Sequence, residues 1–353
     1  MNKLRALKNK IKSFNIYKNR TIFYIIPLAV ILVAIICGVA YQLSASRQYF
    51  ANIGIDFQGG TILQIEFEDG QANLGENYNK NLEIIKKTVK AHGPEVSVNQ
   101  SSGESTIIVQ YTNFSDGIGG TVNDADAMNV INNAIKSDLL DLSANGGIDK
   151  IKENGITFSN IGNDSSKNLL KTSAIAVGVA LILMLVYIII RFDFYSGLAA
   201  VIALLHDVII MMSLTVIFYV EISDSIVAGL ITIVAYSINN TIVVFDRIRS
   251  GIKPFKKSGE KYDMTSIINH SIFSTMTRTI YTTFTTIIVM IILVCMGVTS
   301  ITTFGLPIIF GLIGGFYSSV FIAGPLWGDL KALGDKLKIK RKNRKIANAA
   351  RTK

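Results

Sequence analysis

IVAGLITIVAYSINNTIVVF, Ile226 to Phe245, is a run of 20 residues without a single Asp, Glu, Lys or Arg. At about 1.5 Å of helical rise per residue, about 20 such residues cross the roughly 30 Å of bilayer hydrocarbon. Asp246 and Arg247 then end the run at water. Five more runs have this character: Thr21 to Leu43, Thr172 to Ile190, Ser196 to Tyr219, Thr279 to Val298 and Thr302 to Trp327. The expected fold class is therefore an integral membrane α-helical bundle of six transmembrane helices. Composition agrees, since 50% of the 353 residues are hydrophobic and only 17% charged. A soluble domain carries about 25% charged residues, so a soluble enzyme, a disordered chain and a coiled coil are all excluded. Cys37 and Cys295 both lie inside apolar runs, and nothing has zinc or redox spacing. The first run follows a basic leader, but it exceeds the roughly 7 to 15 apolar residues of a secretory signal and reads as an uncleaved anchor.

Charge sets the expected orientation. Residues 1–20, 191–195, 246–278 and 329–353 hold 25 of the 35 Lys and Arg, which assigns that face and both termini to the cytoplasm. The expected plan is a basic leader over 1–20, a first span over 21–43, an extracytoplasmic domain over 44–171, a bundle over 172–327 with a cytoplasmic loop at 246–278, and a basic tail over 328–353. The outer segment carries 16 of the 25 acidic residues. The tail sequence KIKRKNRK, Lys338 to Lys345, fits a juxtamembrane anchor to anionic membrane lipid better than a nucleic-acid site, and no nucleic-acid partner is expected.

The outer segment alternates period-2 and helical patterns. Gly59 to Glu68 reads as a strand, and Asn77 to His92 as a helix with Leu82, Ile85 and Val89 on one face. Glu95 to Tyr111 reads as a hairpin, Asn123 to Leu142 as a second helix, and Gly155 to Ile161 as a last strand. That order predicts a split β-α-β, ferredoxin-like α+β domain. It has no nucleophile-base arrangement, and Gly117 to Gly120 is a loose turn rather than a dinucleotide fingerprint, so a binding surface is expected there rather than a catalytic one.

Polar residues inside the spans need a reason, because an ionisable group near the bilayer centre costs about 2.5 to 3.5 kcal/mol on insertion scales. Asp207, next to His206, lies eleven residues beyond Ser196, or roughly 16 Å deep. Two readings stand open: a proton or ion relay, and a satisfied carboxylate that locks the bundle. Tyr236, Ser237, Asn239, Asn240 and Thr241 form a dense polar patch in the fourth span. Arg278 enters the fifth span and either snorkels or pairs with that patch. In the sixth span Gly305, Gly311, Gly314, Gly315 and Gly324, with Pro307 and Pro325, read as a close-packing stripe.

Five runs together resemble the SecF family of protein translocase accessory subunits, in the SecDF group of the resistance, nodulation and division (RND) superfamily. They are GIDFQGGT (Gly54 to Thr61), AVIALLHDVII (Ala200 to Ile210), ITIVAYSINNTIVVFDRIRS (Ile231 to Ser250), STMTRTIYTTFTT (Ser274 to Thr286) and FGLIGGFYSSVFIAGPLW (Phe310 to Trp327). In the first of these, Gly54, Asp56, Gly59 and Gly60 carry the motif outside the first span. The resemblance implies a half-transporter in a bacterial cytoplasmic membrane, paired as a heterodimer with a SecD-like subunit. It would use the proton or sodium gradient, with no other cofactor, to pull unfolded exported polypeptide that the SecYEG channel and, indirectly, SecA have moved across. Asp207, Arg278, Asn239, Asn240 and Tyr236 would be the ion-coupling residues. Such proteins commonly read Asn then Asp before Thr in the fourth span, whereas here Asn239 is followed by Asn240, which does not titrate. In NIGND, Asn160 to Asp164, relatives usually carry Val, Gly, Pro before the second span, and here the Pro is missing. The competing expectations are half of an RND-type small-molecule or lipid exporter, and a passive membrane scaffold.

Overall fold

The structure, a computed structural model, describes residues 15–44, 49–68, 75–92, 96–102, 105–111, 125–260, 262–296 and 298–351. Most of the basic leader and the Gly117 to Gly120 turn lie outside the described residues.

Among the described residues, six helical segments are long and apolar enough to cross a membrane. The first is α1 (Arg20–Leu43), followed by the single-turn α2 (Ile55–Gln58). After the outer elements come α5 (Asn163–Arg191), α6 (Phe194–Ile217), α7 (Ser225–Ser258), α8 (Met264–Cys295) and α9 (Thr299–Tyr317). A π-helical turn (Ser318–Ile322) joins α9 to α10 (Ala323–Arg351), so the last span is one continuous helical rod. The α6 and α7 windows and the last span are the most buried, while α1, α5 and α8 turn apolar side chains such as Leu32, Ile182 and Ile292 outward. That outward surface suits lipid or neighbouring helices, since lipid tails leave no hydrophobic force to drive it inward.

The segment 246–278, expected as a loop, is largely helical, continuing α7 to Ser258 and entering α8 from Met264. Its helix α7 runs on to Ser258 and stops where Gly259 takes φ 74°, a left-handed conformation open to glycine. Asp263 then starts α8 by accepting hydrogen bonds from the amides of Thr265 and Ser266, each 3.1 Å.

Between α1 and α5 lies a unit of four strands and two helices. In chain order these are β1 (Gly60–Phe67), α3 (Gly75–Ala91), β2 (Val96–Ser102), β3 (Thr106–Tyr111), α4 (Ala125–Ala144) and β4 (Ile151–Ile161). The sheet order is β2-β3-β1-β4 with every neighbouring pair antiparallel. Period-2 alternation places Leu63, Ile65 and Phe67 of β1 beside Ile107, Val109 and Tyr111 of β3 in one core, which Ile85 and Val89 of α3 and Ile135 and Leu139 of α4 cover. Strand β4 runs into α5 through one residue, Gly162, so the sheet and the second span are joined without a linker.

Candidate functional site

Asp207 lies on the buried face of α6 and is fully enclosed. Its Oδ2 accepts a short hydrogen bond from the Ser237 hydroxyl on α7. Its Oδ1 meets His206 Nδ1 at 2.9 Å, and Ser318 of the π-turn also hydrogen-bonds the carboxylate. The His206 ring stacks on Tyr317 with centroids 6.1 Å apart, and the Tyr317 hydroxyl donates to the Phe23 carbonyl of α1 at 2.8 Å. Three spans therefore meet at this carboxylate, and α1 joins them through Tyr317.

The glycine stripe belongs to this cluster. A Cβ on Gly315 would stand 3.1 Å from Ser237 Cβ, and one on Gly314 would stand 3.3 Å from Ile210 Cγ2. A larger residue at either place would press α9 against α7 or α6 beside Asp207. Gly311 faces Ile233 of α7 in the same way. Pro325 is buried four residues after Phe321, within the reach at which a proline ring clashes with a helical carbonyl. The π-turn sits at that place and turns Ser318 and Ser319 inward, both fully buried.

Two polar atoms in the cluster have no partner among the described residues: Nε2 of His206 and Nδ2 of Asn240. Asn240 is buried on α7, one turn beyond Ser237, next to Thr241, whose hydroxyl meets that of Ser319 at 3.3 Å. Buried polar atoms are normally paired, so these two stand out within the cluster as unsatisfied. Tyr236 is half-buried and donates to Thr283 of α8 at 3.2 Å. Asn239 and Arg278 are exposed on the outside of this chain's bundle, and neither meets Asp207. The structure thus brings together Asp207, Ser237 and Asn240, while Asn239 and Arg278 face away.

A second polar group occupies the opposite end of α6 and α7, where β1 begins. The Gly54 amide donates to the Ile222 carbonyl at 3.0 Å, and the Ile222 amide to the Asn52 carbonyl at 2.8 Å, a short parallel bridge. Asp56 Oδ2 accepts from the Asp224 amide at 3.1 Å. Gly59 takes φ 79° to turn α2 into β1, and a Cβ on Gly60 would stand 2.9 Å from Ile55 Cγ2. Glu221 is buried against Gly54 and hydrogen-bonds Gln110 of β3. Burial, reinforced by the nearby Asp56 charge, pushes the Glu221 carboxyl up to about 7, and burial also raises that of Asp56. Glu221 is not among the residues expected at a site; its signal in the sequence is an acid in the six-residue turn Val220 to Ser225, too short to hold it far from the membrane surface.

The comparisons bear on both ends. The family described as protein export membrane protein SecD/SecF, C-terminal, matches residues 143–333, and the SecD/SecF GG motif matches residues 52–70. A protein translocase subunit SecF from Acidaminococcus fermentans is 32% identical over 316 residues, covering 90% of this chain and 97% of its own length. The chain belongs to the SecF family of protein translocase subunits. A second SecF, from Helicobacter pylori, is 31% identical and covers 89% of this chain and 85% of its own. The crystal structure of SecDF, described as a translocon-associated membrane protein from Thermus thermophilus, superposes with a TM-score of 0.64 at 25% identity over 90% of this chain. This SecF-family chain spans 39% of that structure's length. Its relatives are named as translocase subunits, a transport role rather than a catalytic one. Within this chain, the GG-motif match covers the 52–56 side of the pinned junction, and the C-terminal match covers Asp207, Ser237 and the π-turn.

Proposed function

We propose that the chain works with a SecD-like subunit, in a bacterial inner membrane with both termini cytoplasmic, to draw exported polypeptide outward using the proton or sodium gradient. SecYEG and, indirectly, SecA would deliver that polypeptide, and the step would come late and without ATP. The strand order and all-antiparallel pairing support a ferredoxin-like lobe on the outer side, which would grip the emerging chain.

One observation carries the reading: a fully buried carboxylate, bonded to a hydroxyl on a neighbouring span, at the glycine-lined contact of three spans. A charge moving down the gradient releases about 2.3 kcal/mol per 100 mV, enough to bias two packings of one cluster. Protonating Asp207 removes the charge that holds Ser237 and His206, so α6 and α7 can shift against α9. The pinned turn between α6 and α7 carries that shift to the lobe. Asn240 cannot exchange a proton, so the carboxylate facing it is assigned to the SecD-like partner.

The test uses membrane vesicles holding an export substrate halted after channel transit. With the wild-type chain, imposing a gradient should release the substrate; with Asp207→Asn, release should fall to the level seen without a gradient while the subunits still co-purify. Gradient-dependent release that survives Asp207→Asn would leave the passive scaffold as the better account.

A further inference from the structure

At the opposite end of the bundle from the pinned junction, a cavity of about 540 Å³ opens where α5, α6, α7 and α10 meet. Arg191, Arg249, Lys253, Lys256 and Lys331 line it, against two carboxylates, Asp193 and Asp246. None of the five cations joins an ion pair among the described residues. Asp193 is engaged instead by a short hydrogen bond from the Ser196 hydroxyl. Two of the cations are held on aromatic faces: Arg191 stands 5.3 Å from the Phe192 ring centroid and Lys331 stands 4.8 Å from that of Trp327. Arg249 donates one bond, 3.0 Å, to the Arg191 carbonyl, leaving most of its five donors free.

The second observation is Trp327. It lines the same cavity, is 5% exposed, and its indole N–H meets no acceptor among the described residues. Converging cations and an unmet donor call for an anion with several oxygens. The location selects its source. Arg191 ends the second span, Phe245 ends the uncharged run of the fourth, and Trp327 ends the last apolar run. These three put the cavity at the boundary between hydrocarbon and water, where tryptophan concentrates and where lipid phosphates lie. Ile248 and Ile252 add apolar wall beside the charges, suited to the root of an acyl chain.

We propose that this cavity binds the headgroup phosphate of an anionic phospholipid. The lipid would fasten the ends of four helical segments to one another at the face that bears most of the chain's positive charge.

Trp327 is the chain's single tryptophan, so its fluorescence reports on this cavity alone. The full-length chain, purified in nonionic detergent, is titrated with phosphatidylglycerol carrying brominated acyl chains, which quench indole on contact. Parallel titrations use phosphatidylcholine with the same chains, and inorganic tripolyphosphate. Saturable quenching by phosphatidylglycerol alone is expected. Replacing the two exposed lysines together, Lys253→Gln and Lys256→Gln, should weaken it roughly tenfold with the thermal midpoint unchanged. Equal quenching by phosphatidylcholine, or a phosphatidylglycerol curve indifferent to the two substitutions, overturns the proposal. A fluorescence response to tripolyphosphate at lower concentration than to phosphatidylglycerol overturns it too, and assigns the cavity to a soluble anion.

Discussion

Glu221 shows how much one side chain can set. In the folded chain it titrates at about 7, and released into water it returns to its ordinary 4.5. Between those values the folded form keeps a proton that the released form gives up, so rising pH works against the folded junction. The burial of Glu221 at this junction is therefore least costly below the ordinary glutamate range, grows costlier through the window between, and levels off above about 7, while the bond to Gln110 only partly offsets that cost. The full swing is on the order of 3 kcal/mol. Hydrogen-exchange protection of residues 218–224 should fall across that window in the wild type and stay flat in Glu221→Gln, which keeps the shape and removes the titration. A wild-type profile as flat as that of the variant would sink the assignment. Asp207 is met by more groups, Ser237, His206 and Ser318, and it holds the cluster through the bonds it accepts.

Among the elements, the last span carries the most specific geometry. Gly315→Leu would drive a side chain into Ser237, and overpacking of this sort costs about 1 to 3 kcal/mol. The thermal midpoint in detergent should drop, and gradient-dependent release should be lost. Gly178→Leu, on α5 with nothing within 4 Å of its site, should change neither. The spans and the strands were legible because each follows a single period: uncharged runs of membrane length, and period-2 alternation as in Leu63, Ile65 and Phe67. The polar patch of α7 was legible only as composition. Tyr236, Ser237, Asn239 and Asn240 are neighbours in sequence, yet the helix turns Ser237 and Asn240 inward and Asn239 outward, a difference fixed by which helices pack on which face. The π-turn was not legible, since it answers a local conflict between Pro325 and the turn before it. Glu221 escaped because its burial depends on β3, more than a hundred residues earlier in the chain.

For the whole molecule, the decisive relation is between the lobe and the bundle. The lobe is attached by its own two ends, one of them the single residue Gly162 between β4 and α5, and a third time by the pinning of residues 52–56 to the α6–α7 turn. If that third attachment transmits motion, freezing it should stop transport without dismantling the complex. A cysteine pair at the bridge partners Ile53 and Ile222, placed in a chain whose Cys37 and Cys295 are replaced by Ser, tests this. Oxidation should halt gradient-dependent release, and reductant should restore it; release unchanged by oxidation would separate the turn from the working cycle. Since α6 and α7 are joined by only a few residues and those residues are held to the segment 52–56 that leads into the lobe, the hairpin is tied at its tip. Under the proposed cycle the turn would act like a crank keyed to its shaft, passing a tilt at the buried carboxylate to the lobe, and an epitope tag spliced into that short turn should disconnect the two.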